Sequence, residues 1–146
     1  MSAPISPPPS PIGRGLLAVM AAVLTLALLI FAFGFISLFL DRNVVDQADA
    51  GPLVGPIMVL AVCVIVVRTT LRLVAGKLGS SMVSAGLASA VVPPAIGAAI
   101  YVVTRGQLGV FPVFFGHQVL SPFTVAAVVV AAMVVGLAGL AKQPRG

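Results

Sequence analysis

Residues Leu16–Leu40 run for 25 positions without a charge and end abruptly at Asp41-Arg42-Asn43. A helix rises about 1.5 Å per residue, so this run reaches roughly 37 Å, more than the ~30 Å hydrocarbon core of a bilayer. Sixteen of the residues are Leu, Ile, Val or Phe. They contribute at most about −5 to −10 kcal/mol to insertion, because the full per-residue values apply only near the bilayer centre. A first helix that spans a membrane, with room to tilt, is the expectation. A cleaved signal peptide fits poorly. Its apolar core would be ~7–15 residues long, and no obvious small-x-small cleavage site lies just before Asp41.

The rest of the chain agrees. It is 60% hydrophobic and 8% charged over 146 residues, too apolar for a soluble domain whose surface must be wetted. The net charge of +5 comes from eight Lys and Arg scattered at segment ends, with no basic face, so no nucleic-acid partner is expected. The single Cys63 forms no intrachain disulfide and reads as a small buried hydrophobe.

Residues 1–15 carry Pro4, Pro7, Pro8, Pro9 and Pro11 and read as a disordered cytoplasmic tail, since proline lacks the N–H a helix needs. A polar loop, Asp41–Gly51, holds all three acids, Asp41, Asp46 and Asp49. Gly51-Pro52 opens a second helix over 52–73, in which Arg68 snorkels toward headgroups, and Gly76 is a plausible stop. A short link makes an antiparallel hairpin with a third helix over 82–103, capped by Ser80 or Ser81. Pro93 and Pro94 remove two donors near the middle of that helix, so a kink and a candidate hinge are expected there. An isolated Met82–Val103 segment is expected to insert poorly. Thr104–Ser121 is broken by glycine and proline yet apolar, an outer loop lying in or dipping into the interface. The fourth helix covers 122–141, and 142–146 is a short basic tail. The expected fold is all-α: a polytopic membrane protein, a four-transmembrane-helix bundle.

Orientation follows from the cations. With the N-terminus inside, Arg14, Arg68, Arg72, Lys77, Lys142 and Arg145 are cytoplasmic, while Arg42 and Arg105 are outside. Both ends are then cytoplasmic, and the plasma membrane is the expected location.

Several patterns are candidates for a site. Phe31, Phe35 and Phe39 recur at i, i+4 and i+8 on one face; with Phe111, Phe114 and Phe115 of the outer loop they form either an interfacial belt or an apolar outer cap. Arg68 and Arg72, one turn apart, with Lys77 behind, suit anchoring and are candidates for an anionic lipid headgroup. Small residues at four-residue spacing (Ala85/Ser89, Ala95/Ala99, Ala127/Ala131, Ala132/Gly136) allow close helix approach, within one copy or between copies. His117 with Asp46 and Asp49 would make a metal site only if distant loops met.

No acid and no histidine falls inside an expected span, and no nucleophile–base spacing, HExxH or phosphate loop is present. Neither catalysis nor a cofactor is therefore expected. The partners are membrane lipids, with a second copy or another membrane protein as a possible neighbour. Two roles follow: a non-enzymatic accessory, scaffold or assembly subunit acting through helix–helix contacts, or small-solute permeation or lipid handling.

Overall fold

The computed structural model describes residues 11–41, 53–73 and 77–141, and within these the chain is helical with short joints. α1 covers Pro11–Leu40, α2 Val54–Leu71, α3 Leu78–Arg105, α4 Phe111–Val119 and α5 Pro122–Ala141, with one 3-10 turn at Leu108–Val110. Four of them, α1, α2, α3 and α5, are long and apolar enough to cross a membrane. The Asp41–Gly51 loop beyond Asp41, the Gly51-Pro52 opening, the Gly76 stop and both basic or proline-rich extremities (1–10 and 142–146) lie outside the described residues.

Helix ends depart from the sequence reading in instructive ways. α1 starts at Pro11 rather than Leu16, because proline fits a first turn whose N–H groups have no partner. It stops where Asp41 takes φ 50°, a left-handed conformation that aspartate tolerates. α2 ends at Leu71, with the Arg72 N–H donating to the Arg68 and Thr69 carbonyls at 3.1 Å. α3 is longer at both ends than 82–103. The N-cap position is Lys77, without a side-chain cap; the Ser80 and Ser81 hydroxyls instead donate back to the Lys77 carbonyl at 2.9 and 3.0 Å. Its far end closes on Gly106 at φ 67°, whose N–H reaches the Val102 carbonyl at 2.8 Å.

The helix bounds refine two expectations about shape. α3 continues as helix through Pro93 and Pro94, both buried among its neighbours. The pair still costs the carbonyls of Ser89 and Ala90 their helical donors. The outer loop is not irregular either: nine of its residues form α4.

The four long helices form a ring in the order α1, α2, α3, α5, with α2 and α5 also meeting across it. α5 is the most enclosed, 56% buried along its span against 22% for α1. Its buried face is made of Ala127, Val130, Ala131, Val134, Val135 and Ala138, small enough for neighbours to come close. Gly86, Gly136 and Gly139 complete that seam: β-carbons on them would meet Val128, Met82 and Leu78. Of the small-residue pairs, Ala85/Ser89 and Ala127/Ala131 are buried in the bundle, whereas Ala99 is exposed.

α4 packs on the C-terminal half of α3, antiparallel to it. Phe114 faces Gly97 and Tyr101, while Gln118, one turn later, shares a cavity with Ser89 and Pro93. Numbers rise on α4 as they fall on α3. α4 and α5 are therefore two pieces of one descending rod, jointed at Leu120–Pro122.

Candidate functional site

Three places gather polar or aromatic chemistry, and each takes its residues from different helices.

The first lies at the α4–α5 joint. Proline at 122 has no N–H, so the helix must restart, and Ser121 caps the new turn: its Oγ accepts from the Phe123 N–H at 3.2 Å. The Thr124 hydroxyl donates to the Gln118 carbonyl at 2.6 Å, and the Ser121 N–H donates to the same carbonyl at 3.2 Å. Beside this joint a cavity of about 20 Å³ is lined by Ser89, Pro93, Gln118, Thr124, Met58 and apolar neighbours. That volume holds one water molecule. Ser89 Oγ is fully buried here and has no hydrogen-bond partner. The Gln118 amide lies 4.0 Å from Met58 Sδ, a weak contact for a buried donor. Of the candidate hinge, Pro93 thus borders a mostly apolar cavity into which Ser89, Gln118 and Thr124 bring polar atoms, and the discontinuity opposite it is in α4–α5.

The second place is the phenylalanine set, which the structure separates into three groups. Phe31, Phe35 and Phe39 stack along the outside of α1, with centroids 6.1 and 4.4 Å apart. Their face is turned away from the buried stripe of Ala18, Ala21, Thr25 and Leu29. Phe111 and Phe115 stack on the surface of α4 at 5.9 Å. Phe114 is buried, stacked on Tyr101 at 4.8 Å, with the Arg105 guanidinium 5.9 Å from the Tyr101 ring centroid. Among the described residues no ring contact joins the α1 group to the α4 group. The inward-facing partner of α1 is Phe33, edge-on to Phe123 at 5.3 Å.

The third is an open groove of about 320 Å³ between α2 and α3, where Arg68 and Arg72 line one wall and Ser81 and Ser84 the other. Thr69, Ile65 and Ala88 complete it. Lys77 is not part of the lining; it stands exposed at the start of α3.

His117 lies apart from all three, on the exposed side of α4 in an open cleft of about 520 Å³ with Ser121 and Pro112. Asp46 and Asp49 are outside the described residues, and no group of three metal-binding side chains occurs among those described. Sequence reading missed Gln118, Thr124 and Gly97. Gln118 is the only amide side chain between Leu108 and Ala141, set with His117 in an otherwise apolar segment, and that was the available signal.

Fold and site together define an all-helical protein with four apolar helices of membrane-spanning length, suited to membrane association. Residues 14–143 match a family of unknown function, DUF6121, and the chain belongs to that family. No curated protein and no solved structure matches it.

Proposed function

We propose that the chain is a four-crossing plasma-membrane protein with both ends in the cytoplasm, working as a non-enzymatic accessory or assembly subunit through helix–helix contacts. The observation that carries this reading is α1. Thirty residues long, it commits one narrow stripe to its own bundle and leaves a continuous apolar face, including Phe31, Phe35 and Phe39, turned outward. Rigid stacked rings on such a face offer a neighbouring helix van der Waals contact, which drives association in lipid, where the hydrophobic effect is spent.

Depth assignments support the crossing. Counting about 20 residues of helix for ~30 Å, a bilayer beginning near Ser81 ends near Tyr101. The Ser89–Gln118 cavity then sits close to the midplane, and α4 lies within the outer leaflet. Crosslinking in native membranes from cysteines placed on the outer face of α1, at Ile30 or Leu38, is expected to capture a second protein. A strictly monomeric protein with no crosslinked neighbour removes the basis of this reading.

The alternative is small-solute permeation or lipid handling. The α2–α3 groove favours its lipid-handling form, because it places two guanidiniums beside hydroxyls at the mouth of an otherwise apolar bundle. Liposomes carrying the protein that neither leak solute nor move lipid exclude it.

A further inference from the structure

The groove between α2 and α3 is graded along its length. Ile65 and Ala88 form its deep end, Arg68 and Ser84 come next, and Arg72 and Ser81 form its mouth. It passes from apolar to cationic over about two helical turns. That is the polarity of a phospholipid seen edge-on, with the first acyl carbons below and the phosphate above.

The charges call for an anion. Arg68 and Arg72 are one turn apart on α2, and like charges at this spacing repel. The only acid among the described residues, Asp41, is at the opposite end of the bundle, where α1 stops. Guanidinium groups present planar, paired donors that match phosphate oxygens. The Ser81 and Ser84 hydroxyls across the groove already donate to the Lys77 and Ser81 carbonyls, each at 3.0 Å, so the two arginines carry the recognition. We propose that this groove binds the phosphate of an anionic phospholipid from the cytoplasmic leaflet, with Arg68 and Arg72 holding the headgroup and Ile65 and Ala88 receiving the chain. The inference rests on the four-crossing reading. It differs from mere anchoring because it names two cations and leaves out a third, Lys77, which lies outside the groove.

The test uses the full-length protein extracted in detergent and read by native mass spectrometry against an equimolar mixture of phosphatidylglycerol and phosphatidylcholine. Wild type is expected to retain phosphatidylglycerol by about tenfold over phosphatidylcholine, given the usual strength of a basic residue near an anionic surface. The double variant Arg68→Gln/Arg72→Gln loses that preference, while Lys77→Gln keeps it. A thermal-shift arm compares phosphatidylglycerol with millimolar inorganic phosphate. Stabilisation by the lipid alone supports the proposal; equal stabilisation by free phosphate, lost in the double variant, overturns the lipid assignment. Equal retention of both lipids by wild type, or an unchanged preference in the double variant, overturns the site itself. A chain that fractionates away from membranes before extraction defeats the four-crossing reading instead, so the two failures are told apart.

Discussion

Phe114 lies over Gly97: its Cε1 is 3.4 Å from the point where a β-carbon on Gly97 would stand. Val54 Cγ1 approaches the same point at 3.4 Å and Met58 Sδ at 2.9 Å. Three helices, α2, α3 and α4, therefore close on one missing side chain, and the smaller core cluster of Val54, Met58, Ala98 and Phe114 is built around it. Gly97→Val places two methyl groups in that space and is expected to destabilise the bundle by about 1–3 kcal/mol, the usual range for overpacking. Gly34→Ala, on an exposed face with nothing within 4 Å, is the control and is expected to be neutral or slightly stabilising. Thermal unfolding of the detergent-solubilised protein measures both.

Phe114 and Phe35 separate the phenylalanines by what they touch. Phe114 is 2% exposed and stacked on Tyr101, while Phe35 is 53% exposed and its ring contacts are with Phe31 and Phe39 of α1. Phe114→Ala leaves a cavity at the α3–α4 contact. Since lipid is as apolar as the core, the loss is one of packing rather than transfer from water, on the order of 1–2 kcal/mol. Phe35→Ala is expected to leave the melting temperature of the isolated protein unchanged. If the outer face of α1 binds a partner, Phe35→Ala weakens crosslinking to that partner while Phe114→Ala does not, provided α4 remains folded.

How much of this was legible in the sequence depended on where the stop signals were. α1 and α5 were readable because long uncharged runs end at Asp41 and Lys142. The Phe31–Phe35–Phe39 ladder was readable because i, i+4 and i+8 place three rings on one face whatever surrounds the helix. α4 was hidden by Gly109, Pro112 and Gly116, although Phe111/Phe115 and Phe114/Gln118 carry the helical spacing. Pro93-Pro94 pointed to a kink in α3; the helix runs on through the pair, and an interruption the sequence did not announce is across the bundle at Leu120–Pro122. A local rule tells which donors are lost; it does not tell which neighbours hold the helix together. The meeting of Ser89 with Gln118 depends on how α3 and α4 pack, and no spacing along the chain encodes that.

Ser89 gives a prediction whose sign is informative. Its hydroxyl is buried with no protein partner, next to a mostly apolar cavity with room for a single water. A hydroxyl left dry in this setting makes Ser89→Ala stabilising, since alanine removes an unpaired polar group. A hydroxyl joined to a water that also reaches Gln118 or Thr124 makes Ser89→Ala destabilising. The cavity has the volume, and Gln118 and Thr124 in its otherwise apolar lining can partner a water, so a loss of about 1 kcal/mol is expected. Ser89→Val is expected to cost more, because its second methyl displaces the water as well. A rise in melting temperature for Ser89→Ala would show the site to be dry.

The exposed side of α4 tests where the outer water boundary falls. His117 faces a cleft of about 520 Å³ that also contains Ser121, and the depth count above puts this cleft below the end of α3. A histidine ring turned toward acyl chains would leave two nitrogens unsatisfied, a cost membrane proteins avoid by admitting water or turning the group inward. The cleft is therefore expected to be wetted from outside. In a Cys63→Ser background, Gln107→Cys should react rapidly with a membrane-impermeant maleimide on intact cells and His117→Cys more slowly, because its cleft is recessed. Ser80→Cys, at the start of α3 that the proposed orientation puts in the cytoplasm, should react only after permeabilisation, and Val129→Cys, exposed on α5, should stay unreacted in both states if that face meets lipid. Labelling of Ser80→Cys from outside would reverse the assigned faces. A silent His117→Cys alongside a reactive Gln107→Cys would mean that α4 presents its histidine to lipid, and the water-filled cleft would have to be abandoned.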